Sequence, residues 1–169
     1  MKRLTTIVIA MCAVLCVSAQ DSLRFGWLSY ETALMSMPQY AVVQKQMEDL
    51  RAQYQAETKR VEEEFNRKYE EFLEGQREFP KTILQKRQTE LQELMEKNIA
   101  FKEESRQQLA KAEAEAMAPL KVQLSEAIAK IATERGLALV VNTDSNACPF
   151  INPEIGEDIN ELVIAELAK

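Results

Sequence analysis

Residues 39–75 read QYAVVQKQMEDLRAQYQAETKRVEEEFNRKYEEFLEG, and residues 82–118 read TILQKRQTELQELMEKNIAFKEESRQQLAKAEAEAMA. These are two stretches of 37 residues joined by QREFPK at 76–81. From Gln39 to Arg135 there is one glycine, Gly75, and two prolines, Pro80 and Pro119, among Glu, Gln, Lys, Arg, Leu and Ala. Such a composition favours helix, but it cannot bury a core of its own and must pair with itself or with another chain. Gly75 and Pro80 interrupt it midway, which predicts a long antiparallel helical hairpin, a coiled-coil arm with its tip near 76–81. At about 1.5 Å per residue each arm is roughly 55 Å long.

The apolar spacing supports that reading. Tyr40, Val43, Met47, Leu50 and Tyr54 recur at alternating intervals of three and four, a heptad seam. Leu50, Val61 and Phe72 then fall eleven apart, as do Tyr54 and Phe65, which straightens or reverses the supercoil. The returning seam is Leu84, Leu91, Leu94, Phe101, Leu109, Ala112, Ala116 and Leu120, interrupted at Asn98 and Ser105. Pro119 is expected to start or kink a further segment, Leu120 to Arg135, which stops at Gly136.

The flanks read as a small strand-and-helix body. Leu23 to Leu28 is a strand candidate with Leu23, Phe25 and Trp27 on one face, followed by a short helix over Tyr30 to Ser36. Leu137 to Val141 is a fully apolar strand, Asn142 to Asn146 a turn, and Cys148 to Ile151 a short edge strand. Asp158 with Glu161 resembles a capping box before a closing helix to Ala168. So thin a body is marginal in a monomer. Leu23, Phe25, Trp27, Leu139, Val140 and Val141 are therefore the expected oligomer interface. The domain plan is a signal peptide at 1–19, body at 20–38, hairpin arm at 39–118 and body again at 119–169.

Lys2 and Arg3 precede an apolar run from Leu4 to Val17, and Val17-Ser18-Ala19 supplies small residues for cleavage near Ala19. This is the pattern of an export signal. Its apolar run is shorter than the roughly 20 residues of a membrane span. With Lys2 and Arg3 removed, 19 of the 21 basic residues face 27 acidic ones, a net charge of −8. Cys148 is then the one cysteine left, so no internal disulfide forms.

Charge and missing residue types narrow the function. Overall acidity argues against nucleic acid as a partner, although Arg77, Lys81, Lys86 and Arg87 form a basic cluster beside the turn. The sequence has no histidine, and its four glycines are widely separated. Histidine-based catalysis, His-containing zinc sites and phosphate-cradling glycine loops are excluded. Carboxylate runs such as Glu62-Glu63-Glu64 read as a hydrated helix face. No catalytic residue, metal site or cofactor is expected, and the chain does not read as an enzyme.

The order of these features resembles the Skp/OmpH family of periplasmic outer-membrane-protein chaperones over essentially the whole mature chain. The closest points are Phe25-Gly26-Trp27-Leu28-Ser29 leading into Tyr30 to Tyr40, Gln85-Lys86-Arg87-Gln88-Thr89 after the tip, and Leu137 to Asp144. The resemblance implies a jellyfish-like homotrimer whose helical arms enclose a cavity. It implies an ATP-independent holdase in the periplasm that keeps unfolded outer-membrane proteins from aggregating. Client contacts are then expected at Phe79, Ile83 and Leu84 and at the cations Arg77, Lys81, Lys86 and Arg87, which would also bring the tips to a membrane surface. The best-known members are strongly basic, whereas this chain is acidic with near-neutral arms, so capture by charge is weakened. A structural coiled-coil scaffold of the envelope without clients shares every helical feature, and so does a membrane-anchored stalk that retains residues 1–19.

Overall fold

The computed structural model describes residues 23–169; the expected export signal lies outside the described residues. The chain divides into two compact units, one comprising Gln123–Lys169 with the residues up to Ser36, the other Met37–Val122. The described residues are mainly helical, 75 %, with one small sheet. Among the described residues no helix is long and apolar enough to cross a membrane.

In the first unit, β1 (Phe25–Leu28) leads into α1 (Tyr30–Met35). After the hairpin come β2 (Leu139–Asn142), a 3-10 turn (Asp144–Asn146), β3 (Gly156–Asp158) and α4 (Asn160–Leu167). The sheet is wholly parallel, in the order β2-β1-β3, with Phe25 beside both Leu139 and Gly156. Side chains alternate between its faces. The face of Gly26 and Leu28 is closed by Leu137 and Ile159, which stand where a Cβ on Gly26 would go. Leu28, Ala33, Leu124, Ala127, Ile131, Ile159 and Val163 form the core of this unit.

A polar clasp joins the C-terminal ends of the strands. Ser29 caps α1, its Oγ accepting the Thr32 N–H at 3.0 Å and donating to Asp144 at 2.7 Å. The second Asp144 oxygen accepts the Glu31 N–H at 2.9 Å, Asn142 accepts from Tyr30, and Asn160 accepts the Ser29 N–H. These bonds satisfy amides at the start of α1 that have no intrahelical partner.

The second unit pairs α2 (Pro38–Gly75) with the greater part of α3 (Lys81–Arg135). Pro38 occupies the first turn of α2, where a missing N–H costs nothing. The helices run antiparallel: Arg51 bridges to Glu113 and, further along, Glu62 to Lys102. Both seams fall on the contact side, with Val43 and Met47 buried and Tyr54 packed 6.3 Å from Phe101. Asn98 and Ser105 also lie on the seam and are satisfied there. The Asn98 amide donates to the Val61 carbonyl at 3.1 Å across the hairpin, and Ser105 to Phe101 at 2.6 Å within α3.

Three expectations are revised. Of the two outcomes expected at Pro119, a new helix does not start there, because α3 runs through it to Arg135. Pro119 and Glu115 are exposed, so water satisfies the Glu115 carbonyl that lost its donor. Cys148–Ile151 is irregular, and the third strand is Gly156–Asp158, in a segment without apolar alternation. Gly156 lets the rings of Phe25 and Trp27 lie over that strand: a Cβ there would be 2.6 Å from the Trp27 ring. Asp158 ends β3 and its carboxylate accepts the Asn160 N–H at 2.9 Å, the N-cap half of the expected box, while the helix itself begins after Ile159.

The clasp has a pH signature. The hydroxyl of Ser29, then the amide of Glu31, hold the Asp144 carboxyl below its ordinary pKa. A carboxyl lowered in the folded state stabilises it above the unfolded pKa, about 4, and loses that effect as pH falls through the folded value. Tm followed against pH should therefore decline below about pH 4, and Asp144→Asn should flatten that decline. Glu166, lowered by Lys130 and then Lys169, contributes with the same sign and remains in the variant. An identical acid slope in both proteins would remove Asp144 from this role.

Candidate functional site

The tip is more structured than a solvated turn. α2 ends at Gly75, whose missing Cβ makes room for the Phe79 ring; a Cβ there would lie 2.3 Å from it. Phe79 is half-buried and, with Phe72 and Leu91, walls a cavity of about 70 Å³. Leu84 is half-buried on the seam, and Ile83 is 44 % exposed. Of the four cations, Arg87 bridges to Glu90 at 3.1 Å and Lys86 to the same carboxylate at 3.7 Å, whereas Arg77 and Lys81 are exposed. Glu90 thus engages two of the four cations, and its single charge offsets one of them.

The expected interface residues separate by face. Phe25 and Trp27 stand opposite Leu139 and Val141, with their rings 6.2 Å apart. Leu139 is 46 % exposed, and Leu23, just before β1, is exposed as well. Val140 pairs with Gly26 and belongs to the face of Leu28. Four of the six residues therefore lie on one apolar face, where among the described residues Leu139 is exposed and Phe25, Trp27 and Val141 are half-buried. Parallel sheets are normally covered on both faces.

The hairpin also carries apolar side chains that its own pairing leaves out. Tyr69, Leu73, Met95 and Ile99 are all large and exposed. Tyr69 stacks on Phe65 with centroids 6.0 Å apart, and Phe65, Met95 and Ile99 share an open crevice of about 320 Å³. Each of the four lies one residue beyond a seam position, occupied in turn by Lys68, Phe72, Leu94 and Asn98. The opposite side of α2 is an ion-pair ladder of Glu57, Arg60 and Glu64, then Arg67 and Glu71. The Arg60 guanidinium holds the Glu57 carboxyl below its ordinary pKa. Reading each helix separately misses the four apolar residues; marking the position after each seam residue on both helices would have found them.

A small parallel sheet that carries Phe25, Trp27, Leu139 and Val141 on one face is thus joined in sequence to a long hairpin with exposed apolar side chains. Among the described residues there is no group of His, Cys, Asp and Glu arranged to hold a metal ion. The profile of the outer membrane protein (OmpH-like) family matches residues 24–167, and the chain belongs to that family. Its fold is similar to the crystal structure of an OmpH-like protein from Caulobacter crescentus CB15, a candidate outer membrane chaperone. The TM-score is 0.69 at 15 % identity, covering 86 % of this chain and 83 % of that one. No curated protein matches the chain by sequence.

Phe79→Ala should open the hairpin end. Buried Phe→Ala changes cost about 3–5 kcal/mol, and a half-buried ring about half of that. Amide exchange should accelerate over residues 72–84 while residues 40–50 keep their protection. Unchanged exchange around the tip would mean that Phe79 does not hold it closed.

Proposed function

We propose that this protein is an ATP-independent periplasmic holdase that binds unfolded outer-membrane proteins and prevents their aggregation. Membership of the OmpH-like family supports a chaperone role. The observation that carries the reading is the exposure of Tyr69, Leu73, Met95 and Ile99 along a hairpin that offers no deep pocket. An unfolded barrel protein presents many weakly apolar segments. Several shallow contacts shield such a chain and still release it, whereas one tight pocket would not.

The active form in this proposal is a homotrimer. The apolar face of Phe25, Trp27, Leu139 and Val141 supplies the association surface, and clients are held between the hairpins of neighbouring copies. Val141→Asp tests the assembly, since an unpaired carboxylate buried among those residues costs several kcal/mol. The variant should elute as a monomer or unfold in size exclusion coupled to light scattering. An unmodified mature chain that is a folded monomer at micromolar concentration would overturn the trimer.

The holdase is tested by diluting a urea-unfolded outer-membrane barrel protein into buffer with the mature chain and no ATP. Light scattering should fall, with saturation near one client per trimer. A folded trimer that leaves scattering unchanged would favour a client-free scaffold of the envelope.

A further inference from the structure

The hairpin of residues 37–122 has two unlike long sides. Because α2 and α3 run antiparallel, the residues one place after each seam position fall on the same side of both helices. On that side stand Asn66, Tyr69 and Leu73 of α2, with Met95 and Ile99 of α3; Asn66, Met95 and Ile99 line one crevice. Gln85, Gln88 and Gln92 continue the same rank toward the tip. This rank carries no formal charge until the Glu62–Lys102 bridge closes it. The residues one place before the α2 seam are Glu57, Arg60, Glu64, Arg67 and Glu71, the whole of the ion-pair ladder. In a chain with 28 % charged residues, an uncharged rank of this length between Asn66 and Leu73 and between Gln85 and Ile99 distinguishes this side, although the ladder side also exposes Val42 and Ile83 near its two ends.

We propose that the uncharged strip of Tyr69, Leu73, Met95 and Ile99 is the client-contacting face of the hairpin. Its occupant is an extended, uncharged polypeptide segment with apolar residues at alternate positions. The proposal rests on the holdase reading for the source of that segment.

Two features of the strip select this occupant. Tyr69 to Leu73 and Met95 to Ile99 are each four residues apart, about 6 Å along a helix axis. Side chains on one side of an extended chain repeat about every 6.7 Å, so two or three successive apolar residues meet the strip before the periods drift apart. Charge completes the match. A charged segment would lose hydration over a rank of Gln, Asn and apolar side chains whose nearest charges, Glu62 and Lys102, are already paired with each other. An uncharged one loses little. The ladder on the opposite side remains hydrated and keeps that side from competing for the same segments.

The test uses the full mature chain and the barrel-protein aggregation assay. Met95→Gln with Ile99→Gln keeps good helix formers at exposed positions and should raise the concentration needed for half-suppression roughly tenfold, equivalent to about 1.4 kcal/mol. Arg67→Gln, on the ladder side, and Phe150→Gln, an exposed aromatic residue outside the hairpin, should leave that concentration unchanged. A photo-reactive phenylalanine at position 69 should cross-link to the client, and one at position 67 should not. If the unmodified chain protects the client but the double variant protects equally well, the strip assignment is overturned and the holdase stands. Equal loss in the Phe150→Gln variant also overturns it, because capture would then follow total exposed apolar surface. If the unmodified chain gives no protection, the holdase reading fails and the strip assignment falls with it.

Discussion

The central strand finds both of its partners more than a hundred residues further along the chain. Phe25–Leu28 pairs with Leu139–Asn142 on one side and Gly156–Asp158 on the other, both in parallel. A parallel pair cannot be closed by a tight turn, so a crossover must carry the chain away and back. Here that crossover contains the whole hairpin. An excursion that long closes reliably only if its outward and returning helices match. α2 spans 38 residues, and α3 needs a comparable length before its last turns supply Leu124, Ala127 and Ile131 to the sheet unit. Loop-closure entropy rises only slowly with length, so the hairpin adds little to the closure cost beyond what a shorter crossover would incur. The polar clasp of Ser29, Asn142, Asp144 and Asn160 then fixes the strand ends that this long path has brought together.

The hairpin is held more lightly than the sheet unit. Its cross-helix ion pairs are exposed and contribute at most about 1 kcal/mol each. Most seam residues between Leu50 and Leu109 are only half-buried, as two helices alone cannot enclose a core. Asn98 and Ser105 replace apolar side chains in the middle of the seam, and their hydrogen bonds satisfy polar groups without adding much net stability. Aromatic residues recover part of the loss, Tyr54 against Phe101 across the pair and Phe65 under Tyr69. Such a pair keeps its length and direction while presenting large side chains that it does not itself need.

The helical seams were legible because periodicity survives without tertiary information. The seam residues from Tyr40 to Tyr54 and from Leu84 to Leu120 are half-buried or buried, whereas Val42, Met95 and Ile99, which lie off the seam, are exposed. What depends on surroundings was not legible. Proline normally ends a helix, yet Pro119 is tolerated because its turn faces water. Gly156–Asp158 has no strand-like pattern; it pairs because Gly156 leaves room for the rings of Phe25 and Trp27. Phe79 looks like a free apolar contact in sequence but fills the space left by Gly75. Of the expected client contacts, Ile83, Arg77 and Lys81 are exposed, while Phe79 and Leu84 take part in closing the hairpin. The apolar strip was invisible for a related reason. Tyr69 and Leu73 lie on one helix, Met95 and Ile99 on another, and only their antiparallel pairing makes one surface of them.

Under the proposed holdase reading, that pairing would let an acidic member of this family work without a strongly basic surface. Charge brings partners together over about 10 Å and is screened by salt, but it does not distinguish an unfolded barrel segment from a folded acidic protein. Apolar spacing does, because a folded protein has already buried the residues that would meet the strip. In this chain the cations of the hairpin are largely committed: Arg60 and Arg67 to the ladder, Arg51 and Lys102 to the partner helix, and Lys86 and Arg87 to Glu90. Arg77 and Lys81 at the tip stay exposed, and the strip of Tyr69, Leu73, Met95 and Ile99 is the uncharged part of the hairpin surface. In the proposed holdase, recognition would therefore shift from attraction at a distance to complementarity at contact, with capture slower to begin and more selective for chains that have not folded.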